Sequence, residues 1–138
     1  MVGIPSQFEV GKNRFHGSWC FPIFLMTSIA NGDMVTNFTP GFAGVIKKWY
    51  WIQGAAVTTI AKLATLNLEV NAVNLTGGTI SLTSAACTPL GKVIDCSTIT
   101  GGNSFDKDDT ISIEAASVTA FIEGSGFIIV EYEGKILR

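Results

Sequence analysis

Apolar and polar residues alternate along several short stretches of the chain, which is the pattern of half-buried β-strands. Residues 66–70 and 110–114 both repeat with a period of two, so one set of side chains faces a core and the other faces solvent. Further extended runs are residues 19–29, 34–38, 45–53, 79–83 and 127–133. The last run is mostly apolar, which predicts a central strand.

Turn residues separate these runs. Asn-Gly-Asp at 31–33, Thr-Pro-Gly at 39–41 and Gly-Gly at 77–78 supply residues that accept turn geometry, including positive φ. Helix signals are limited to single turns within residues 55–65 and 84–90. About eight short strands with turns between them predict an all-β protein, built as a single closed antiparallel β-sandwich or barrel.

Residues 1–18 differ from the remainder of the chain. They contain three glycines and Pro5, and they show no lasting periodicity. We therefore predict an irregular N-terminal arm over residues 1–18 and one β-sandwich domain over residues 19–138. The expected core consists of the apolar faces of the alternating strands, namely Leu66, Leu68, Val70, Ile80, Leu82, Ile111 and Ile113.

The amino-acid composition indicates that the protein belongs to an assembly. The 138 residues are 47% hydrophobic but only 14% charged, with a net charge of −2. A free small domain needs charged surface to stay soluble, so we expect much of this surface to meet another protein. The weakly acidic chain has no Lys/Arg cluster larger than a pair, which excludes a nucleic-acid partner.

The ionisable residues do not form a recognisable catalytic centre. The single histidine, His16, lies in the predicted arm without a serine or cysteine motif around it. Glu131 and Glu133 share a parity on the last strand and could in principle be paired glycosidase carboxylates, but exposed acids near a terminus explain them better. We expect no enzyme activity, no catalytic residues and no cofactor.

Two further groups of residues have the chemistry of metal or redox sites. The three Asp residues within 106–109 fit a solvated turn better than a calcium loop, since the glycine and distal glutamate of an EF-hand are missing. The three cysteines cannot all pair within one chain. Cys87 and Cys96 could bridge, but three small buried residues are the simpler reading, so no metal site is expected.

Residues 12–30 run from basic to apolar to small, in the order of a secretory signal. Glu9 and Pro22 disturb that pattern, and the apolar run is far shorter than the ~20 residues that a membrane span needs. A buried strand accounts for the same residues, and no membrane partner is expected.

The densest aromatic cluster of the sequence is residues 49–51. On a strand, Trp49 and Trp51 point to one face and Tyr50 to the other. Both a core strand and a sugar-stacking or interface role remain open. Lys47 is expected on the same face as the two tryptophans, where its charge conflicts with an apolar core. Lys48 is expected on the face of Tyr50.

From about Thr27 to Tyr132 the chain resembles the small capsid decoration (cement) proteins of tailed bacteriophages, which fold as a β-sandwich or jelly roll. The resemblance lies in the order and spacing of a series of short sequence segments. They are residues 28–33 (SIANGD), 40–44 (PGFAG), 61–69 (AKLATLNLE), 74–78 (NLTGG), 82–85 (LTSA), 87–91 (CTPLG), 109–113 (DTISI), 118–121 (VTAF) and 123–126 (EGSG). Residues 1–18 do not match, and residues 49–51 are more aromatic than the family pattern.

The resemblance implies a jelly-roll-like, non-enzymatic virion protein, made in the host cytoplasm and placed on the outer surface of the capsid. Its partners would be the major capsid protein and further copies of itself, with a homotrimer favoured. We expect contacts from the N-terminal arm and one sandwich edge. The candidate interface residues are Phe8, Phe15, Trp19, Phe21, Lys48, Tyr50 and Phe127. The alternative is a carbohydrate-binding β-sandwich of a phage fibre, with residues 49–51 as the stacking platform.

Overall fold

The computed structural model describes residues 14–135 and contains only strands, turns and one short 3₁₀ segment, Met26–Ser28. The strands are β1 Arg14–Cys20, β2 Phe24–Leu25, β3 Gly32–Phe38, β4 Gly44–Ala55, β5 Leu63–Val70, β6 Val73–Asn74, β7 Thr76–Gly77, β8 Ile80–Thr83, β9 Val93–Asp95, β10 Ile99–Gly101, β11 Ser104–Phe105, β12 Ile111–Thr119 and β13 Ser125–Lys135. The prediction of an all-β protein is confirmed, although short strands raise the count of about eight to thirteen.

Two antiparallel sheets form a sandwich. Sheet A runs in the order β1, β13, β4 and then β11, with β9 also pairing along β4 and β2 along β13. Sheet B runs β3, β12, β5 and then β6, with β8 also pairing along β5. If β9 and β11 are taken as one position, and β6 and β8 as another, eight main strands remain: β1, β3, β4, β5, β6/β8, β9/β11, β12 and β13. Renumbered 1 to 8 in this chain order, they have the order 1-8-3-6 in sheet A and 2-7-4-5 in sheet B. This order is that of a jelly roll.

The core lies between the two sheets, where the alternating positions meet. All seven core residues predicted from the sequence are buried: Leu66, Leu68, Val70, Ile80, Leu82, Ile111 and Ile113. Sheet A contributes buried side chains from β4 and β13, among them Ile46, Ile128 and Val130. The strand β13 lies between β1 and β4, which confirms its prediction as a central strand. Each large apolar side chain buried in this way contributes roughly 1.5–3 kcal/mol.

The two tryptophans of β4 belong to this core. Trp49 and Trp51 are fully buried, and their indole nitrogens donate to Gly78 O at 2.6 Å and to Gln53 Oε1 at 2.7 Å. A β-bulge removes the conflict with Lys47, because Glu131 pairs with Lys48 while the next residue pairs with Ile46. The extra residue, Lys47, leaves the tryptophan face and is exposed.

The structure corrects part of the predicted arm. Residues 14–18 are extended rather than irregular, because they belong to β1 and pair with β13 from Lys135 to Glu131. The sequence does not show this strand because β1 is an edge strand that buries few side chains. Arg14, His16 and Ser18 are all exposed, so no apolar alternation marks it. Residues 1–13 lie outside the described residues, so the remainder of the predicted arm stays a prediction.

The predicted helical turns and the cysteines can also be located in the structure. One helical turn is found at residues 83–87, where Cys87 N donates to Thr83 O at 3.0 Å, whereas residues 55–65 form the end of β4, a loop and the start of β5. The cysteines are all free: Cys87 is buried, Cys96 is partly buried and Cys20 is exposed. Burial raises the pKa of the Cys87 thiol to about 11, so this thiol is unreactive.

Candidate interaction surfaces

The outward-facing side of sheet A is apolar over half of its length. Cross-strand pairing places its side chains in rows, and one row joins Cys20, Ile129, Tyr50 and Asp95 across β1, β13, β4 and β9. The neighbouring row joins Phe127, Ile52 and Val93. We call the apolar members of these two rows the apolar band: Cys20, Tyr50, Ile52, Val93, Phe127 and Ile129.

An apolar band is unexpected at this position. The outer face of an antiparallel sheet is ordinarily polar, since only the inner face packs on the core. The large side chains of the band, such as Ile52, Phe127 and Ile129, are only partly buried and lie outside the hydrophobic core cluster. Contiguous apolar surface of this kind is typical of interaction surfaces.

The other half of the same face carries charge. The row next to the band joins Ser18, Glu131 and Lys48. The Tyr50 hydroxyl donates to Glu131 Oε2 at 2.8 Å, and the Lys48 ammonium lies 5.3 Å from the centre of the Tyr50 ring. The hydrogen bond to Glu131, followed by burial, raises the pKa of Tyr50, so its hydroxyl stays protonated and fixed in this position.

The charged half continues toward the start of β1. Arg14 Nη1 lies 2.9 Å from Glu133 Oε1, and His16 Nε2 lies 3.7 Å from Glu133 Oε2. His16 is therefore an exposed neighbour of a carboxylate. Within residues 14–135, no group of three or more His, Cys, Asp or Glu side chains is arranged to hold a metal ion.

The candidate residues from the sequence divide between two places. Lys48, Tyr50 and Phe127 come together on the outer face of sheet A. Phe15, Trp19 and Phe21 lie elsewhere, on the inward side of β1 and just beyond its end. Phe8 falls outside the described residues.

Trp19 and Phe15 belong to an aromatic cluster that closes one end of the sandwich. The Trp19 ring stacks on Tyr132 at 4.6 Å and meets the edge of Phe38 at 5.1 Å, while Phe15 meets Phe42 at 5.3 Å. Phe21 lies 5.7 Å from the same Phe38 ring. These contacts pack Trp19 and Phe21 against the core, and all three side chains keep some exposed surface, most of all Phe15.

The two ends of the sandwich differ sharply in polarity. One end is formed by residues 23–30, 56–62, 84–92 and 120–124, and we call it the apolar end. It carries most of the strongly exposed large hydrophobic side chains found in the described residues: Ile23, Leu25, Ile60, Leu90 and Ile122. The opposite end, which we call the charged end, holds the turn at residues 106–109 with Asp106, Lys107, Asp108 and Asp109, together with Arg14 and Lys135.

The turn at the charged end is structural. Asp109 Oδ2 accepts from Asp106 N at 2.8 Å, and Asp109 Oδ1 accepts from Asn71 Nδ2 at 2.9 Å. The hydrogen bond from Asn71, followed by that from Asp106, lowers the pKa of Asp109. The carboxylate of Asp109 thus closes its own turn, in agreement with the solvated-turn interpretation.

A single carboxylate organises the apolar end. Glu123, in the loop before β13, accepts hydrogen bonds of 2.6–2.9 Å from the backbone and hydroxyl groups of both Thr58 and Thr59. These bonds, led by the Thr58 hydroxyl, lower the pKa of Glu123 to about 2. Ser84 Oγ donates to Thr59 O at 2.7 Å, and Met26 N donates to Gly124 O at 2.9 Å. All four loops of this end are therefore linked.

Sequence reasoning missed four of the six residues of the apolar band, namely Cys20, Ile52, Val93 and Ile129, although the sequence held a signal for Ile52 and Ile129. Every second residue of a strand lies on the same face. Glu131 and Glu133 therefore share their face with Ile129 and Phe127. On β4 the same rule places Ile52 on the face of Lys48 and Tyr50. The apolar end left no such signal, because its members are single residues in four separate loops that only the fold brings together.

Comparisons with known proteins add a likeness in structure only. No family model matches the chain, and no curated protein matches it. Among solved structures, it is similar to a chain described as "Cyanophage Pam1 capsid asymmetric unit", with 16% sequence identity and a TM-score of 0.44. The match covers 90% of this chain and 84% of that chain. A similarity of this degree is too low to transfer a function. Within residues 14–135 no helix has the length and apolarity of a membrane span.

Proposed function

We propose that this chain is a non-enzymatic structural protein of a phage virion, a decoration or cement protein that binds the outer surface of the major capsid protein shell. The observation that carries the proposal is the apolar band, because a sandwich that worked alone would show a polar face there. The resemblance of the ordered short sequence segments to those of phage cement proteins favours a capsid as the assembly.

The apolar band is the surface on which copies of this chain meet. Its centre, Ile129 and Tyr50, is apolar, while Glu131 and Lys48 in the next row supply charges of both signs. A surface with an apolar centre and mixed charge at its margin is suited to a partner carrying the same surface. The family resemblance favours three copies. An oligomer engages several capsid subunits at once, so weak single contacts add up to firm attachment.

Nothing in the geometry favours the carbohydrate-binding alternative. A stacking platform needs exposed rings, but Trp49 and Trp51 are fully buried with both indole nitrogens hydrogen-bonded. Tyr50 is partly exposed, yet its ring lies against Lys48 and its hydroxyl is engaged by Glu131. Glycan titration is expected to leave the fluorescence of both indoles unchanged.

The test is a decoration assay. Empty, expanded shells assembled from the major capsid protein of the phage that encodes this chain are mixed with the purified protein and sedimented. We expect binding that saturates at a fixed ratio of the chain to capsid protein and raises the temperature at which the shells break. Absence of the chain from the pelleted shells at micromolar concentration, or binding without saturation, contradicts the proposed function.

A further inference from the structure

We propose that the apolar end of the sandwich is the surface that docks onto an uncharged, apolar patch of the capsid shell. This inference rests on the proposed function and deepens it by naming the part of the chain that makes the contact. The occupant is a protein surface of the shell, distinct from the further copies of this chain that pack on the apolar band.

The exposed side chains are the first argument. Ile60 is 81% exposed, Leu90 69% and Ile122 62%, and each stands at the tip of a different loop. Together with Leu25 they place four aliphatic side chains on one end of one small domain. Single exposed aliphatic residues are ordinary, but a group at one end of the molecule indicates a binding surface.

Charge decides what kind of partner fits. The loops of the apolar end contain three charged residues, Lys62, Lys92 and Glu123, and the Glu123 carboxylate is engaged by the two threonines. Two lysines are too few for a nucleic-acid contact, which depends on neutralising many phosphates. A partner of high charge would lose its hydration here without gaining ion pairs, so the complementary surface is apolar and uncharged.

A half-open cavity adds an anchor point at the same end. It has a volume of about 220 Å³ and lies between the 3₁₀ segment and the start of β3. Its lining combines Leu25, Ile29 and Met34 with the polar Asn31 and the charged Asp33. Binding energy at protein interfaces concentrates where a side chain of one partner fills such a pocket of the other. A single uncharged side chain of the shell is the matching occupant.

The arrangement of copies explains why this end faces the shell. The antiparallel strands of sheet A extend between the charged end and the apolar end, and the apolar band lies on the half of their outer face that is nearer the apolar end. When copies pack side by side through the band about a rotation axis parallel to the strands, all apolar ends point the same way. They form one multivalent base, while the charged ends point together to the opposite side.

The loops of the apolar end are held in place before binding. The Glu123 carboxylate ties the loop at 120–124 to Thr58 and Thr59, and Ser84 ties the same threonine segment to the loop at 84–92. Loops that are already ordered lose less conformational entropy when a partner binds. The hydrogen-bonded carboxylate thus has a role in docking as well as in stability.

The experiment compares two ends of the same protein. The variant Ile60→Asp/Ile122→Asp places charge on the apolar end, and the control Val73→Asp places charge on a residue that is 67% exposed near the charged end. Both are added to the empty, expanded shells, and bound protein is measured by sedimentation. Light scattering and urea unfolding report the oligomer and the fold of each variant.

We expect the double variant to bind at least tenfold more weakly, with its mass and unfolding midpoint unchanged, and Val73→Asp to bind as the parent does. Equal binding by the parent and the double variant overturns the inference while leaving the proposed function intact. If the parent itself does not bind the shells, the proposed function fails. A change of mass in the double variant alone identifies the occupant as a second copy of this chain and also overturns the inference.

Discussion

The Tyr50 hydroxyl and the Glu131 carboxylate join β4 to β13 on the outer face of sheet A, with a hydrogen bond of 2.8 Å from Tyr50 to Glu131 Oε2. This bond lies at the border between the apolar band and the charged rows of the same face. It leaves the Tyr50 ring beside Ile129, its cross-strand partner, and holds the carboxylate of Glu131 at the edge of the band. The face therefore has a defined apolar area with a polar margin, which is the layout of a protein interface.

The first prediction concerns association of copies through this face. The variant Ile129→Glu places a charge in the centre of the apolar band, where a second copy would have to bury it. We expect the mass in solution, measured by light scattering, to fall from that of an oligomer to the 14.7 kDa of one chain. Circular dichroism is expected to stay that of a folded β protein, because Ile129 points away from the core.

A matched control places the same charge outside the band. Asn37 is exposed on β3, in the other sheet, and Asn37→Glu is expected to keep the parent's mass. If Ile129→Glu and Asn37→Glu both remain oligomeric, copies do not meet through the apolar band. The proposed side-by-side arrangement would then be wrong.

The second prediction concerns pH. The pKa of Glu123 is about 2 in the folded protein, whereas a glutamate in an unfolded chain titrates near about 4.3. The folded state therefore binds the proton of Glu123 less readily than the unfolded state does. The hydrogen bonds from Thr58 and Thr59 stabilise the fold fully above the unfolded value, and this contribution is lost as the pH falls through about 4 toward 2.

Urea unfolding between pH 7 and pH 2 measures this contribution. The parent is expected to lose stability steeply below pH 4.5, and Glu123→Gln to start from a lower midpoint at pH 7 and lose less on acidification. Asp108→Asn serves as the control, since Asp108 is exposed and is engaged only by Lys107 next to it. A parent and a Glu123→Gln variant with the same pH profile would show that Glu123 does not hold the loops.

The third prediction compares two glycines of β13 that lie against aromatic rings. A Cβ on Gly126 would collide with the buried ring of Trp51 and with Ile52 O, neither of which can move. A Cβ on Gly134 would collide with the ring of Phe15, which is partly exposed and can swing outward. We expect Gly126→Ala to lower the free energy of unfolding by about 3 kcal/mol and Gly134→Ala by less than about 1 kcal/mol.

Urea denaturation at pH 7 distinguishes the two glycine variants. The large cost at Gly126 follows from the rigidity of the core around Trp51, whose indole is fixed by Gln53. Equal costs for both variants would mean that the Phe15 ring is as tightly held as the Trp51 ring. That result would contradict the partial exposure of Phe15.

The alternating strands could be predicted from the sequence because burial there follows a local rule. The side chains of Leu66, Leu68, Ile111 and Ile113 repeat with a period of two, and all are buried as expected. The bulge at Lys47 could not be predicted in the same way. It depends on the register between β4 and β13, which are separated by some eighty residues in the chain.

The surfaces were predictable only in part, and for a related reason. Tyr50 and Phe127 could be proposed because each is an aromatic residue on a strand. Ile60, Leu90 and Ile122 lie in loops where no periodicity applies, and they share one end only because of the jelly-roll order of the strands. The strand β1 was missed because its outward side chains, such as Arg14 and His16, are exposed and polar.

The last prediction concerns where the N-terminal arm begins. The sequence predicts that removal of residues 1–18 leaves the fold intact and weakens attachment to the shell. The structure moves that boundary, since residues 14–18 form most of β1 and pair with β13. Removal of residues 1–18 is therefore expected to lower the free energy of unfolding by about 2 kcal/mol or more, through lost strand pairing and loss of the Phe15 contacts.

Removal of residues 1–13 separates the arm from the strand. We expect this shorter truncation to keep the parent's unfolding midpoint in urea and to bind the shells more weakly in the sedimentation assay. The apolar end is retained in both truncations, so binding that persists after removal of residues 1–13 comes from the remainder of the chain. If the shorter truncation binds as tightly as the parent, residues 1–13 have no part in attachment.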